Sequence, residues 1–368
     1  MNGKLPLTYR TNTFSPKGEE AMQKIKVGIL GCGAITERRH APEFTARSDT
    51  CIAGFYDLNT TRATEMATKY GGKVYSTPDE MIADASIDAI SVCSPNNTHA
   101  DFSIKTLNSG KHVLCEKPMG ISLAETRKML EAEKASGKIL MPGHNQRLIP
   151  THRKAKELLS NGSIGEPLFF QCNFKHSGPE NWSINNTNTT WFFDKDKACF
   201  GVFGDLGSHK LDLIRFLTGR EIEAVFATMM TLDKKNADGN FIHLEDNVVC
   251  QFRLVGGMPG IMHFSWTNYG QEDNSTAIYG EDGTMKIFGD YADDIVLEMR
   301  DGTTVKYHVG SISTNLNQLA SGVIDEFVSA IIENRKPIVT GIDGHNTLAV
   351  IEAGIASSNQ KEWIEVKY

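Results

Sequence analysis

The 368-residue chain is 40% apolar and 23% charged, the balance of a soluble globular protein long enough to hold two domains. Its formal net charge of −7 includes no long basic block, which excludes the electrostatic footprint of a nucleic-acid binder and favours a small-molecule substrate. No apolar run approaches the roughly 20 residues needed to cross a bilayer, so no membrane partner is expected.

Residues 1–23, "MNGKLPLTYRTNTFSPKGEEAMQ", lack the continuous apolar core of a signal peptide and read as a flexible arm. The cysteines number seven, and Cys32, Cys51, Cys93 and Cys115 sit in or beside apolar strand-like runs without paired spacing. They read as reduced core thiols of a cytoplasmic protein.

From residue 24 to 145, short apolar runs alternate with helical stretches. "IKVGIL", "CIAGFYD", "AISVCS" and "HVLCEK" are short and uniformly apolar, as buried parallel strands are. Thr77 with Glu80 and Ser122 with Glu125 have the spacing of capping boxes, and Gly110 and Gly137 stand where helices should end. The pattern predicts a doubly wound α/β domain. At its first strand end, Gly31 and Gly33 allow a tight turn and close approach to a pyrophosphate, with Ala34 and Ile35 opening a helix whose N–H groups face the phosphates. Thr36 stands where the usual fingerprint has a third glycine. The second strand ends at Asp57, at the distance where a carboxylate accepts hydrogen bonds from an adenosine ribose. That acid would repel a 2′-phosphate, so NAD is expected over NADP, with Arg62 the nearby group that would accommodate such a phosphate.

From 146 to 368 the texture changes. Alternating runs such as "PLFFQCNF", "NVVCQFRL", "GIMHFSW" and "DIVLEM", with Gly-rich turns "EDGT" and "RDGT", predict an α+β domain built on a large, open, mostly antiparallel sheet. In "GDLGSHKLDLIRFLTG", Asp205, His209 and Asp212 fall within a helical sector of roughly 60°, beside an apolar face of Leu206, Leu213 and Leu217. An acid–imidazole–acid stack can handle protons, because a carboxylate fixes the imidazole tautomer; a solvated helix face would look the same. No clustered Cys/His spacing of the zinc type is present, so no metal is expected.

"SPNNTHADFSIKTLNSGKHVLCEKPM", "GHNQRLIP", "GDLGSHKLDLIRFLTG" and "TLAVIEAGIASS" resemble, in order, motifs of the Gfo/Idh/MocA oxidoreductases, the family of glucose-fructose oxidoreductase and inositol dehydrogenase. The resemblance implies a Rossmann domain followed by an open-faced sheet that mediates homo-oligomers, and NAD-dependent oxidation of a sugar, glycoside or cyclitol. It implies that Lys117 touches nicotinamide and substrate, beside a cis Lys117–Pro118 bond, with His209 as base, Asp205 as its partner or a substrate-hydroxyl acceptor, and Asp212 as a substrate anchor. It places Ser94, Pro95, Asn96, His99, Glu116 and Asn145 at the cofactor and Arg147 at the substrate. Where many members carry glycines before the catalytic helix, this chain has Cys199 and Phe200. With Trp182, Trp191, Phe192 and Phe193, Phe200 crowds the approach to Asp205, either as core or as a platform for sugar rings. Two other activities fit the same motifs: a glycosidase that oxidises its substrate transiently, and a non-catalytic NAD or sugar sensor.

Overall fold

A computed structural model describes residues 24–184, 187–289, 292–312 and 320–368, so the expected arm at 1–23 lies outside the described residues. Six strands, β1 (Ile25–Leu30), β2 (Thr50–Tyr56), β3 (Lys73–Val74), β4 (Ala89–Val92), β5 (His112–Cys115) and β6 (Leu140–Pro142), form a parallel sheet in the order β3-β2-β1-β4-β5-β6. This is the doubly wound order, in which ligands sit beyond the carboxyl ends of the strands where the order reverses. The four interior strands are those the apolar runs indicate. The edge strands β3 and β6 have two and three residues, too few for any periodicity to show.

Helices α1 (Ala41–Ala46), α2 (Thr60–Tyr70), α3 (Pro78–Ala83), α4 (His99–Asn108) and α5 (Leu123–Ser136) flank this sheet. The two expected capping boxes form in a shifted version. Thr77 and Ser122 do cap the backbone N–H of Glu80 and Glu125, but each glutamate reaches back to the residue before the cap, Ser76 and Ile121. Gly137 closes α5 in the left-handed conformation, φ 65°.

The second sheet comprises β7 (Pro167–Lys175), β8 (Ile222–Met230), β9 (Asn247–Leu254), β10 (Pro259–Ser265), β11 (Thr276–Gly280), β12 (Gly283–Ile287), β13 (Ile295–Met299), β14 (Thr304–Tyr307) and β15 (Ile364–Glu365), in the order β14-β13-β12-β11-β7-β10-β9-β8-β15. Its pairs are antiparallel except for the central β7 and β10. The alternation along β9 and β10 buries one face, against which α6 (Pro150–Ser160), α8 (Ser208–Thr218) and α10 (Gly341–Gln360) supply the core. The short α7 (Lys195–Ala198) precedes α8. On the uncovered face, Val249, Ile261 and Tyr279 remain exposed.

The chain crosses back once. In α9 (Val323–Ile332), Val323, Ile324, Phe327 and Val328 share a core with Val27, Ile29, Phe44 and Phe55 of the first sheet's layer, although they follow the second sheet in sequence. Arg47 pairs with Asp325, and Glu43 accepts hydrogen bonds from the backbone N–H and hydroxyl of Ser321, so this return is tied by charge as well as by apolar burial.

Candidate active site

The turn after β1 has the shape that a dinucleotide requires. Gly31 sits at φ +98°, and a Cβ there would lie 2.6 Å from the carbonyl oxygen of Cys93, so only glycine fits between the two strand ends. Gly33 faces open space, which leaves its backbone free to meet a phosphate. At the third fingerprint position the buried Thr36 donates its hydroxyl to the Gly31 carbonyl at 2.6 Å, closing the turn with a side chain instead of a glycine. Asp57, at the end of β2, accepts the N–H of Cys32 and the N–H of Asn59, each at 2.7 Å. Its carboxylate is thereby fixed at the cleft wall with acceptor capacity left for ribose hydroxyls. The residues fit NAD.

Motif reading missed His40. The helix after the glycine turn contains a widened, π-helical turn over Thr36–His40 that places this imidazole inside the sheet's carboxyl end. It bonds Ser91 Oγ at 2.7 Å and Glu116 Oε1 at 2.8 Å and is fully buried. Burial alone disfavours charge on both partners, but contact with Cys93 and Glu116 lifts His40 above the ordinary histidine range. The His40 hydrogen bond likewise holds Glu116 below the usual carboxylate range. Both shifts favour a charge-assisted bond between the two, and Glu116 Oε2 accepts the backbone N–H of Lys117 at 3.2 Å. An apolar strand end with a lone histidine in a preceding helix gives no sequence signal for such a pair.

Lys117 projects from the end of β5, and the Lys117–Pro118 bond is cis, as the resemblance implies. Its Nζ donates to Asp205 Oδ1 at 2.6 Å and to the Asp205 carbonyl at 3.1 Å, and Trp266 Nε1 donates to Asp205 Oδ2 at 3.2 Å. Asp205 lies in a second widened turn, Phe203–Gly207, whose entry is fixed by Glu245 Oε1 accepting the N–H groups of Gly201 and Phe203. One turn on, His209 faces the cleft, with its ring 5.5 Å from Phe174 and its Nδ1 buried without a hydrogen-bond partner. Burial first, then the positive charge of Lys117, hold its pKa well below the ordinary histidine value, so the ring is a neutral imidazole able to accept a proton.

A cleft of about 670 Å³ joins these parts. Gly31, Gly33, Ala34, Ile35 and Asp57 line one end, Ser94, Pro95, Asn96, His99, Glu116 and Asn145 its middle, and Lys117, Asp205, His209, Trp191 and Phe200 the other. Several middle residues also brace the cleft. His99 sits between the carbonyls of Ser94 and Pro118, its ring nitrogens 2.8 and 2.7 Å away with one N–H to donate in the neutral form, and Asn96 Nδ2 donates to the Ala198 carbonyl, tying the two domains together. Asn145 presents an amide oxygen with no protein partner.

Arg147 and Asp212 do not line the cleft. Arg147 Nε and Nη2 hold the fully buried Asp212 at 2.7 Å each, and Nη2 also reaches Asp343 Oδ1 at 2.8 Å. The helical projection gives the azimuth of Asp212 but not its depth: the turn that carries Arg147 packs over α8 there, converting the acid into an anchor for the helix. Among the described residues, no group of three or more His, Cys, Asp and Glu is disposed to hold a metal ion.

Two outcomes follow from these contacts. Gly33→Ala should keep the folded protein's stability while weakening NAD binding at least tenfold, whereas Gly31→Ala should lower both, because its Cβ meets backbone; calorimetric NAD titration beside thermal unfolding separates the two. Arg147→Met strands Asp212 and should cost about 3–5 kcal/mol in chemical denaturation. An unchanged stability with a raised KM would instead place Arg147 at the substrate.

Residues 25–144 match the oxidoreductase family with an NAD-binding Rossmann fold, Gfo/Idh/MocA, and residues 152–286 match that family's C-terminal domain. The chain is 28% identical to myo-inositol 2-dehydrogenase of Thermotoga maritima over 355 residues, 93% of this chain and 99% of the relative. It is 36% identical to glucose-6-phosphate 3-dehydrogenase of Bacillus subtilis over 217 residues, 58% of this chain and 60% of the other. Its fold superimposes on levoglucosan dehydrogenase in complex with NADH with a TM-score of 0.83 at 23% identity, covering 94% of this chain and 100% of that one. The glycine turn with Asp57, the Lys117–Asp205–His209 corner and these matches agree: the chain belongs to the Gfo/Idh/MocA oxidoreductase family and is an NAD-dependent enzyme.

Proposed function

We propose that the enzyme oxidises one secondary hydroxyl of a sugar, glycoside or cyclitol to a ketone, with C3 of a pyranoside the favoured carbon. The observation that carries this reading is the corner where Lys117 Nζ meets Asp205 at 2.6 Å beside a neutral His209 in the same cleft as the dinucleotide turn. Bound NAD supplies the hydride acceptor, held by Gly31, Gly33, the N–H groups opening the following helix, and Asp57. The imidazole of His209 takes the hydroxyl proton. Lys117 has three N–H donors, two of them committed to Asp205, and the third steadies the developing alkoxide. Asp205 keeps Lys117 aimed while accepting from a neighbouring hydroxyl, and Asn145 Oδ1 accepts from another. A reacting carbon flanked by two free hydroxyls suits these acceptors, since donors lost from a buried polar site discriminate strongly. C3 of a glycoside meets that condition, and the 3-dehydrogenase name of the Bacillus relative supports it. On the uncovered sheet face, Val249, Ile261 and Tyr279 support pairing with a second copy of the chain. The free thiols of all seven cysteines support a cytoplasmic, reducing setting.

Offered a glucoside, its 3-deoxy analogue and myo-inositol, the enzyme should form NADH and a 3-ketoglucoside in equal amounts, identified by NMR. A keto group elsewhere, or normal oxidation of the 3-deoxy compound, defeats the choice of carbon. A reducing sugar released without net NADH would identify the transient-oxidation glycosidase. Lys117→Met and His209→Gln should each lower turnover by about a hundredfold or more with NAD binding retained.

The pH dependence has a definite sign. A base acts only when unprotonated, so a depressed His209 pKa keeps kcat/KM level to below the ordinary histidine pKa on the acid side. Lys117→Met removes a charge that depresses it, and the His209 titration followed by NMR should then move upward. An unmoved titration would show that the two groups are not coupled.

A further inference from the structure

Between β7 and α8 the chain makes a long excursion that brings Trp182, Trp191, Phe192 and Phe200 to the cleft. Trp191 and Phe192 stack with centroids 4.0 Å apart, and Trp182 meets Phe192 edge-on at 5.0 Å. Phe200 is buried behind, whereas Trp182, Trp191 and Phe192 keep part of their faces open. Half-open aromatic faces lining a cleft signal a ligand more than a core.

The position of this wall relative to the chemistry can be traced ring by ring. His209 contacts Phe174 at 5.5 Å, Phe174 contacts His176 at 5.9 Å, and His176 contacts Trp182 at 6.3 Å. Phe174 and His176 are two residues apart on extended chain, so they share a face and the steps run one way along β7. Along this route two side chains lie between the base and Trp182, all of them lining one cleft. The cleft is thus lined by more aromatic surface than the face of one six-membered ring can meet.

The wall is also fixed in place. Thr190 caps the turn that carries Trp191–Phe193, and Asp194 caps the next, paired with Lys197 at 2.8 Å. The carbonyl of Ala198 is held by Asn96 from the first domain, and Phe193 packs 6.0 Å from Trp266, whose indole N–H holds Asp205. At the other end, Lys234 pairs with Glu180 and donates to the Ser177 carbonyl. Such anchoring presents preformed ring faces and costs little ordering on binding.

We propose that the Trp182–Trp191–Phe192 wall is a subsite for a second ring, joined to the anomeric oxygen of the sugar under oxidation. The substrate is then a glycoside carrying an aryl or glycosyl group, and not a free cyclitol or monosaccharide. The flat ring face is the chemistry that both aglycones share. The inference rests on the alcohol oxidation proposed above for its orientation of the sugar, and the test reads binding and turnover separately. Calorimetry on the NAD-loaded enzyme measures methyl β-D-glucoside, phenyl β-D-glucoside, cellobiose and myo-inositol, and NADH formation is followed with each.

Phenyl glucoside or cellobiose, or both, should bind about 3- to 10-fold more tightly than methyl glucoside and inositol, the worth of one or two aromatic contacts. Which of the two gains tells an aryl from a glycosyl aglycone. Trp191→Ala should erase that advantage, bringing phenyl glucoside and cellobiose to the level of methyl glucoside in the same variant, while Trp191→Phe should retain most of it and so exclude a folding defect. Equal binding of all four ligands, or an equal loss for all four in Trp191→Ala, overturns the subsite. Ring-selective binding without NADH formation would preserve the subsite and overturn the reaction.

Discussion

The contact on which the site depends is the ion pair between Lys117 and Asp205. One partner stands at the end of a strand in the parallel sheet and the other in the turn that opens α8 of the second domain. Both side chains are largely removed from water, so each would be costly alone, and Trp266 satisfies the second carboxylate oxygen. The pair therefore does two things at once. It fixes the seam between domains at the place where the cleft is narrowest in chemistry, and it sets a positive charge beside an imidazole whose burial already keeps it neutral. A lysine without that acid would be freer to move, and the acid without the lysine would be a buried charge facing the site.

Two adjacent turns of one helix show how similar residues acquire different work. Asp205 and His209 open onto the cleft, whereas Asp212, three residues beyond His209, is enclosed by Arg147 and joined through it to Asp343, with Arg215 pairing with Glu221 alongside. This buried charge network binds α8 to α10 and to the turn at 145–148, so the helix cannot shift without breaking several charge-assisted bonds. At the open end Nδ1 of His209 has no protein hydrogen-bond partner, whereas at the closed end Asp212 is held by the charge of Arg147.

Much of this was legible in the sequence because it is carried by local signals. The central strands declare themselves as apolar runs, the dinucleotide turn by its glycines and the acid after β2, and the Lys117 and His209 motifs by resemblance. What was illegible is non-local. The strands β3 and β6 are too short for a pattern, and α9 packs on the first sheet from the far end of the chain, a pairing that no local pattern carries. The depth of Asp212 depends on which segment roofs the helix, a fact that helical projection does not contain. His40 depended on a widened turn: one extra residue in the helical repeat changes which face it meets, and no composition rule announces that change.

That widened turn also links the two ends of the cleft. The helix that begins at Ala34, where phosphates are to be met, carries His40 to Glu116, and Glu116 in turn accepts the backbone N–H of Lys117. The dinucleotide turn is itself locked from within by Thr36 on the Gly31 carbonyl and by Asp57 on Cys32. From the glycine turn to the lysine there is thus an unbroken run of hydrogen bonds and short helix, with the His40–Glu116 contact at its centre. A shift of the glycine turn that keeps these bonds must move the Lys117 backbone with it. The aromatic excursion is tied to this run from two sides, by Asn96 on the Ala198 carbonyl and by Phe193 against Trp266, whose indole N–H holds the carboxylate that Lys117 meets.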